Sequence, residues 1–415
     1  MPTTTAIILA GGLGTRLRSA VPDLPKCMAP VAGHPFLYYV INYLRSQGIE
    51  RFIFSLGYRH EAIESWLASQ YSTLRYETVV EDEPLGTGGA IRLACSRAGT
   101  GPVVVTNGDT LFKADLPSML ARHGQTGAEC TLALKPLQRF DRYGAVEIDD
   151  GGRVVAFREK QFYETGLING GLYIIDAQLL AGEKFPERFS FEKDYLEKQV
   201  APGKIFGTVH DQYFIDIGIP EDFNRAGLEL LRKPLDLAGI DRSWALLIDR
   251  DGVINVEKKD EYVRSWQEFQ FLPGVPQALA RLSQVCGHLI IVSNQRGVGR
   301  GLMTEADLSD IHSQMLGQIR VAGGRIDRIY YCTSRDNTHP DRKPNPGMAF
   351  RAARDFPDLD LARTIMIGNK PSDMLFGRFA GVYTVFIATT NPEHPRDHGD
   401  IDLWFNSLED FAKAL

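Results

Sequence analysis

Two sets of residues in this 415-residue chain have types and spacings that suit chemistry on phosphorus. The first opens with the run AIILAGGLGTRL at positions 6–17, where Gly11, Gly12 and Gly14 follow an apolar stretch and precede Thr15 and Arg16. Lys26 stands ten residues beyond Arg16, behind Pro25. Bare N–H groups, a hydroxyl, a guanidinium and an ammonium after a buried strand suit a polyphosphate. A dinucleotide fingerprint would need a third glycine where Leu17 stands, and a Walker loop would end in Gly-Lys-Ser or Gly-Lys-Thr, so neither fits. Asp109, in Asn107-Gly108-Asp109 after the apolar run 103–105, and Asp216, inside the apolar run 213–219, are the matching acids. A lone carboxylate in an apolar strand is costly unless it is paired or bound to metal. Two such acids suit Mg²⁺, which takes few protein carboxylates and shares the rest of its shell with phosphates.

The second set begins with Asp249 and Asp251, two apart after four apolar residues, so that both side chains project to one side of a strand end. One carboxylate can attack phosphorus to give an aspartyl phosphate while its neighbour protonates the leaving alkoxide and then activates water. Ser293 and Asn294 end another apolar run, Lys343 lies in RKPNPGM, and Gly368 to Asp373 follow a third run.

The elements that must position these residues follow from periodicity. Apolar residues at helical spacing predict a helix over 36–47, ended by Gly48, and a strand over 51–56. Helices over 61–68 and 88–98 and strands over 76–80 and 103–105 continue the alternation, the pattern of a parallel sheet covered on both faces. Strands are expected over 131–134, 146–148 and 154–160, and a helix from Pro220 to about Arg232. The Pro- and Gly-bearing stretch 233–242 reads as a linker, giving an α/β chain with domains 1–232 and 243–415.

Composition bounds the partners. A hydrophobic content of 44%, a charged content of 24% and a net charge of −6 describe a globular chain with no broad attraction to nucleic acid or acidic membrane. Five scattered cysteines predict reduced thiols in a cytoplasmic protein, and no secretory or membrane-spanning run is seen. Oligomeric state is left open.

AGGLGTRL followed by PKCMAPVAGHP resembles the signature of the sugar-phosphate nucleotidyltransferases, and the likeness extends over residues 5–230. EDEPLGTGGA, RYGAVEID, GLINGGLYII and FSFEKDYLE look most like the heptose 1-phosphate guanylyltransferase branch. The resemblance implies a Rossmann-like mixed sheet, GTP and a sugar phosphate as substrates, and Mg²⁺ on Asp109 and Asp216. It implies that the loop from Glu81 through Gly86 faces the base, where a carboxylate can accept from both N–H donors of a guanine edge. It further implies Arg16 and Lys26 on the triphosphate, Lys160 on the sugar 1-phosphate, and Glu159, Asn169 and the backbone at Gly144 and Gly171 on sugar hydroxyls. An ionised phosphate oxygen attacks the α-phosphorus, so charge must be neutralised and no general base is needed.

LIDRDGVIN, SNQRGVGRG and RKPNPGM are similar to the haloacid dehalogenase superfamily phosphatases, in the branch of heptose bisphosphate and histidinol phosphatases. This resemblance implies a parallel-sheet domain, Asp249 as nucleophile, Asp251 as acid and base, phosphate on Ser293 and Asn294, and Lys343 as charge partner. It also implies Mg²⁺ on Asp249, the Asp251 carbonyl and the loop holding Asn369 and Asp373. The superfamily usually has an aspartate at 369, so metal affinity is expected to fall, with Asp373 available to compensate. Relatives often carry a Cys and His cluster before the lysine motif, whereas only Cys332 and His339 remain, so no zinc is expected. His288 and His312 read as surface or packing residues. Together the two halves read as consecutive activities, removal of a heptose 7-phosphate and guanylyl transfer to the 1-phosphate. The competing readings are a hexose 1-phosphate nucleotidyltransferase with another fused phosphatase, and a second domain that binds sugar phosphates without hydrolysis.

Overall fold

A computed structural model describes residues 4–12, 17, 23–180, 185–258 and 261–415. The expectations for Gly14, Thr15 and Arg16 lie outside the described residues. The chain divides into two compact units, Met1–Arg232 and Lys233–Leu415.

At the centre of the first unit the buried strand Thr5–Ala10 pairs in parallel with Arg51–Leu56 on one side and Pro102–Asn107 on the other. Arg75–Val80 continues the parallel part beyond Arg51–Leu56. Past Pro102–Asn107 the sheet turns mixed, as the resemblance implied: the long strand Tyr163–Asp176 runs antiparallel and leads on to Cys130–Phe140, Gly144–Ile148 and Val154–Lys160. One connection dictates its own direction: 149–153, between Gly144–Ile148 and Val154–Lys160, is far too short for the dozen or more residues that a parallel crossover requires.

A two-stranded ribbon sits at the carboxyl end of this sheet. Thr110–Phe112 pairs antiparallel with Phe214–Asp216, placing Asp216 opposite Thr110, and the amide of Ile217 donates to the carbonyl of Asp109 at 3.1 Å. Two acids separated by over a hundred residues are thus set side by side by backbone pairing. The helix predicted to end near Arg232 spans Pro220–Glu229.

The second unit holds a six-stranded parallel sheet in the order Arg328–Cys332, His288–Asn294, Ala245–Ile248, Thr364–Gly368, Tyr383–Ile387, Leu403–Phe405. Ala245–Ile248 is buried at every position, as a strand covered on both faces must be. Leu246 and Ile248 enter one core with the helices Val275–Val285 and Glu305–Val321, while Ala245 and Leu247 enter the other with Gly347–Asp355 and Pro371–Ala380. Residues 233–242 pack onto this unit, with Ile240 in its core and Leu235 and Leu237 against it. The carboxyl ends of three neighbouring strands lead into Asp249, Ser293 and Asn369, the edge where open parallel sheets gather their chemistry.

Candidate functional site

Each unit carries a pocket at the carboxyl edge of its sheet. In the first, a cavity of about 580 Å³ is lined by Gly11 and Gly12 after the central strand, by Glu81 and Gly86, and by Lys26, Asp109 and Asp216. The ammonium of Lys26 bridges the two acids, touching Asp109 Oδ2 and lying 3.4 Å from Asp216 Oδ1. Burial disfavours that charge, but Asp109 and Asp216 outweigh it and hold Lys26 protonated above its usual range. Burial, with Asp109 next to it, lifts Asp216 above the usual carboxylate range despite the lysine. Two hard-oxygen carboxylates that already share one cation fit Mg²⁺.

The glycine loops shape the walls. Gly171 has φ +69°, and a Cβ there would lie 2.7 Å from Asn107 Nδ2, so the strand can pass the end of Pro102–Asn107 only without a side chain. Asn169 braces this bulge, its Oδ1 accepting from the Gly171 amide at 3.0 Å and its Nδ2 donating to the Tyr173 hydroxyl at 2.9 Å. Glu81 accepts from the Leu85 amide at 2.9 Å through Oε2, closing its loop, and its Oε1 lies 3.4 Å from Ser55 Oγ. Glu159 and Lys160 are exposed at the end of Val154–Lys160, with Lys160 opposite Gly144, and none of these three lines the cavity. Arg142 does line it, held by Asp222 at the start of the helix Pro220–Glu229. Sequence reasoning passed over Arg142, which stands one residue before Tyr143-Gly144 and looks like any surface arginine.

In the second unit a smaller cavity of about 100 Å³ brings together Asp249, Asp251, Ser293, Asn294, Lys343 and Asp373. The Lys343 ammonium lies 2.8 Å from Asp249 Oδ1 and 2.7 Å from Asp373 Oδ1, with all three side chains buried. Burial raises the Asp249 pKa, and the neighbouring Asp373 and Asp251 add to this while Lys343 opposes it. Lys343 stays charged because the two carboxylates outweigh its burial. Asp373 also accepts from the amides of Asn369 and Lys370 at 3.2 and 3.1 Å, capping the helix Pro371–Ala380. Its charge is therefore engaged with Lys343 and the helix end.

The side chain of Asn294 is taken up by the peptide of Lys343. Its Oδ1 accepts from the Lys343 amide and its Nδ2 donates to the Lys343 carbonyl, each at 3.0 Å. Asp251 likewise has its carboxylate taken: Arg250 Nη2 donates to both oxygens at 2.9 Å, Asn255 Nδ2 to Oδ1 at 3.0 Å and Gln295 Nε2 to Oδ2 at 3.0 Å. Burial opposes its ionisation, yet Arg250 and the other donors prevail and hold it below the usual range. These donors favour the ionised carboxylate. Gln295 also donates to Ser293 Oγ at 2.7 Å, tying phosphate-side and acid-side residues together. His312 packs inside, its Nε2 3.4 Å from Arg250 Nη1, whereas His288 pairs with Asp358 at 2.9 Å. Cys332 Sγ lies 3.7 Å from His339 Nδ1. Arg250, Gln295 and Glu257 all sat inside or beside the quoted motifs, but only tertiary contact gives them meaning.

Asn369 is fully buried, and among the described residues nothing hydrogen-bonds to its Oδ1. Its backbone amide sits on Asp373 at 3.2 Å, and a bare buried acceptor on Asn369, with the carboxylates of Asp249 and Asp373, makes a hard-oxygen set that fits Mg²⁺.

Comparison with known proteins places each unit. The nucleotidyl transferase family model matches residues 5–233 and the HAD-hydrolase-like model residues 341–410. A D-glycero-alpha-D-manno-heptose 1-phosphate guanylyltransferase of Aneurinibacillus thermoaerophilus is 50% identical over 225 residues, 54% of this chain and 97% of that protein. A D-glycero-alpha-D-manno-heptose-1,7-bisphosphate 7-phosphatase of Mycobacterium bovis is 34% identical over 173 residues, 41% of this chain and 91% of that protein. The crystal structure of HddC from Yersinia pseudotuberculosis complexed with GMP-PN superposes with a TM-score of 0.51 at 36% identity, covering 55% of this chain and all of that one.

Proposed function

The chain belongs to the nucleotidyl transferase family through its first unit and to the haloacid dehalogenase-like phosphatases through its second, and from that premise we propose a bifunctional enzyme of GDP-heptose synthesis. The second unit removes the 7-phosphate of D-glycero-D-manno-heptose 1,7-bisphosphate. The first then transfers GMP from GTP to the heptose 1-phosphate, releasing pyrophosphate. One observation carries the reading: a single chain spans nearly all of two enzymes whose names make the product of one the substrate of the other.

The roles of the residues follow from charge. In the hydrolase pocket an Asp249 oxygen attacks the 7-phosphorus as the P–O bond to the sugar breaks, and Asp251, entering this step protonated, gives its proton to the leaving alkoxide. Water then cleaves the aspartyl phosphate, and Asp251, ionised among its donors, is placed to accept the water's proton. Lys343 offsets the charge gathering on Asp249 and the phosphoryl oxygens. Ser293 offers its hydroxyl, with Gln295 fixing it. In the transferase pocket the glycine backbone at 11 and 12 and Lys26 meet the triphosphate, Glu81 reads the guanine edge, and Arg142 stands over the same cavity. When bound on Asp109 and Asp216, or on Asp249, the Asp251 carbonyl, Asn369 and Asp373, Mg²⁺ supplies charge neutralisation at phosphorus. All five cysteines are free and buried, which supports a reducing, cytoplasmic setting.

The test supplies the full chain with heptose 1,7-bisphosphate, Mg²⁺ and each of the four nucleoside triphosphates, with mannose and glucosamine 1-phosphates as competitors for the transferase. Equal release of phosphate and pyrophosphate, with GTP and heptose preferred, is expected. Asp249→Asn should abolish phosphate release yet leave pyrophosphate release from heptose 1-phosphate. Preference for a hexose 1-phosphate, or phosphate release that survives Asp249→Asn, would overturn the assignment.

A further inference from the structure

Asn369 follows the strand Thr364–Gly368 at the position where the resembled phosphatases usually have an aspartate, and its surroundings account for the amide. Its Nδ2 donates to Glu257 Oε2 at 3.0 Å and to Thr390 Oγ1 at 2.6 Å, so both amide hydrogens have acceptors. A carboxylate can only accept, and Glu257 therefore fixes which end of the amide is nitrogen. The other end, Oδ1, is the buried acceptor without a partner. Gly252 closes the remaining side, for a Cβ there would lie 2.1 Å from Nδ2 and 3.1 Å from Oδ1. Lys370 Nζ contacts the second oxygen of Glu257 and tethers the carboxylate in place. An aspartate at 369 would instead set carboxylate against carboxylate.

We propose that Glu257 and Thr390 are positioning residues of a divalent cation site in the hydrolase unit, holding Asn369 so that Oδ1 is the atom offered to the cation. Glu257 thereby carries, one contact further out, the negative charge that an aspartate at 369 would bring. Residues 257 and 369 form one hydrogen-bonded unit, with the carboxylate at 257 and the amide at 369. This inference rests on the phosphatase reading.

The probe is beryllofluoride, a phosphoryl mimic that a nucleophilic carboxylate takes up with a divalent cation in place. Its ¹⁹F signal on the full-length protein, titrated with Mg²⁺, reports the hydrolase pocket without turnover, and Asp249→Asn serves as the blank. Glu257→Gln is expected to raise the half-saturating Mg²⁺ about tenfold. Glu257→Gln combined with Asn369→Asp is expected to return it to within about threefold of the parent, because the charge is restored and glutamine can donate to the new carboxylate. Thr390→Val, which removes an acceptor but no charge, should give a smaller rise in a protein that keeps its fold. An unchanged Mg²⁺ requirement in Glu257→Gln, or a double variant no better than the single, overturns the inference and leaves the phosphatase reading standing. A parent protein that hydrolyses substrate but shows no Mg²⁺-dependent signal also overturns it, whereas one that does neither overturns both.

Discussion

The ammonium of Lys343 stands 2.8 Å from Oδ1 of Asp249, and both side chains are largely withdrawn from solvent. The same ammonium is shared with Asp373 at 2.7 Å, so one buried cation serves two carboxylates. Removing one partner of a buried ion pair is strongly destabilising, since it strands the other charge away from water.

Lys343→Met should accordingly cost the hydrolase unit about 3–5 kcal/mol of stability. Phosphate release should fall at least ~100-fold, the size of effect expected from losing one preorganised group at a developing charge. Urea unfolding and phosphate release are the measurements, with pyrophosphate release from heptose 1-phosphate kept as the internal control. A variant as stable as the parent would show that the lysine is dispensable to the empty pocket.

Lys26→Met should separate a charge held in reserve from one used only on substrate. With the ammonium gone, Asp109 and Asp216 face each other uncompensated, so Mg²⁺ gains more by binding there than in the parent. The thermal midpoint of the transferase unit should rise more with Mg²⁺ in the variant than in the parent, while pyrophosphate release falls roughly 100-fold. Equal midpoint shifts in the two proteins would refute it.

His312 predicts a pH dependence. Burial first, and Arg250 second, hold its pKa down at about 3, against an ordinary value of 6.5. The folded imidazole stays neutral while the unfolded one gains a proton, so its contribution to stability is fully present above pH 6.5 and is lost as pH falls toward 3. Over that window the histidine alone imposes a slope of about 1.4 kcal/mol per pH unit. Denaturant unfolding of the parent and His312→Gln between pH 4 and 8 should show the variant's curve flatter by that amount, and parallel curves would dismiss the effect.

Candidate residues were legible wherever a charged or small polar side chain followed an apolar strand, as with Asp109, Asp249 and Ser293, whereas Lys343, in a loop well past Arg328–Cys332, was legible only through RKPNPGM. Strand direction beyond Pro102–Asn107 was legible from the resemblance and not from periodicity, because a period of two is the same in parallel and antiparallel pairing. Gln295 and Arg142 escaped because polar residues on loops look alike until a partner is known. Gln295 is 1% exposed, which no local pattern in SNQRGVGRG announces. Glu257 escaped for the same reason, since its partners Asn369 and Lys370 lie more than a hundred residues away.

Asn294 grips the peptide of Lys343 at both its N–H and its C=O. The tail of one strand thereby sets where a cation borne on a remote segment can stand. The stretch 333–341 fastens the other flank, its carbonyls at Asn337 and His339 accepting from Asn345 Nδ2 at 3.0 Å, so a change of length there would be felt at Asn345 before it reached the lysine.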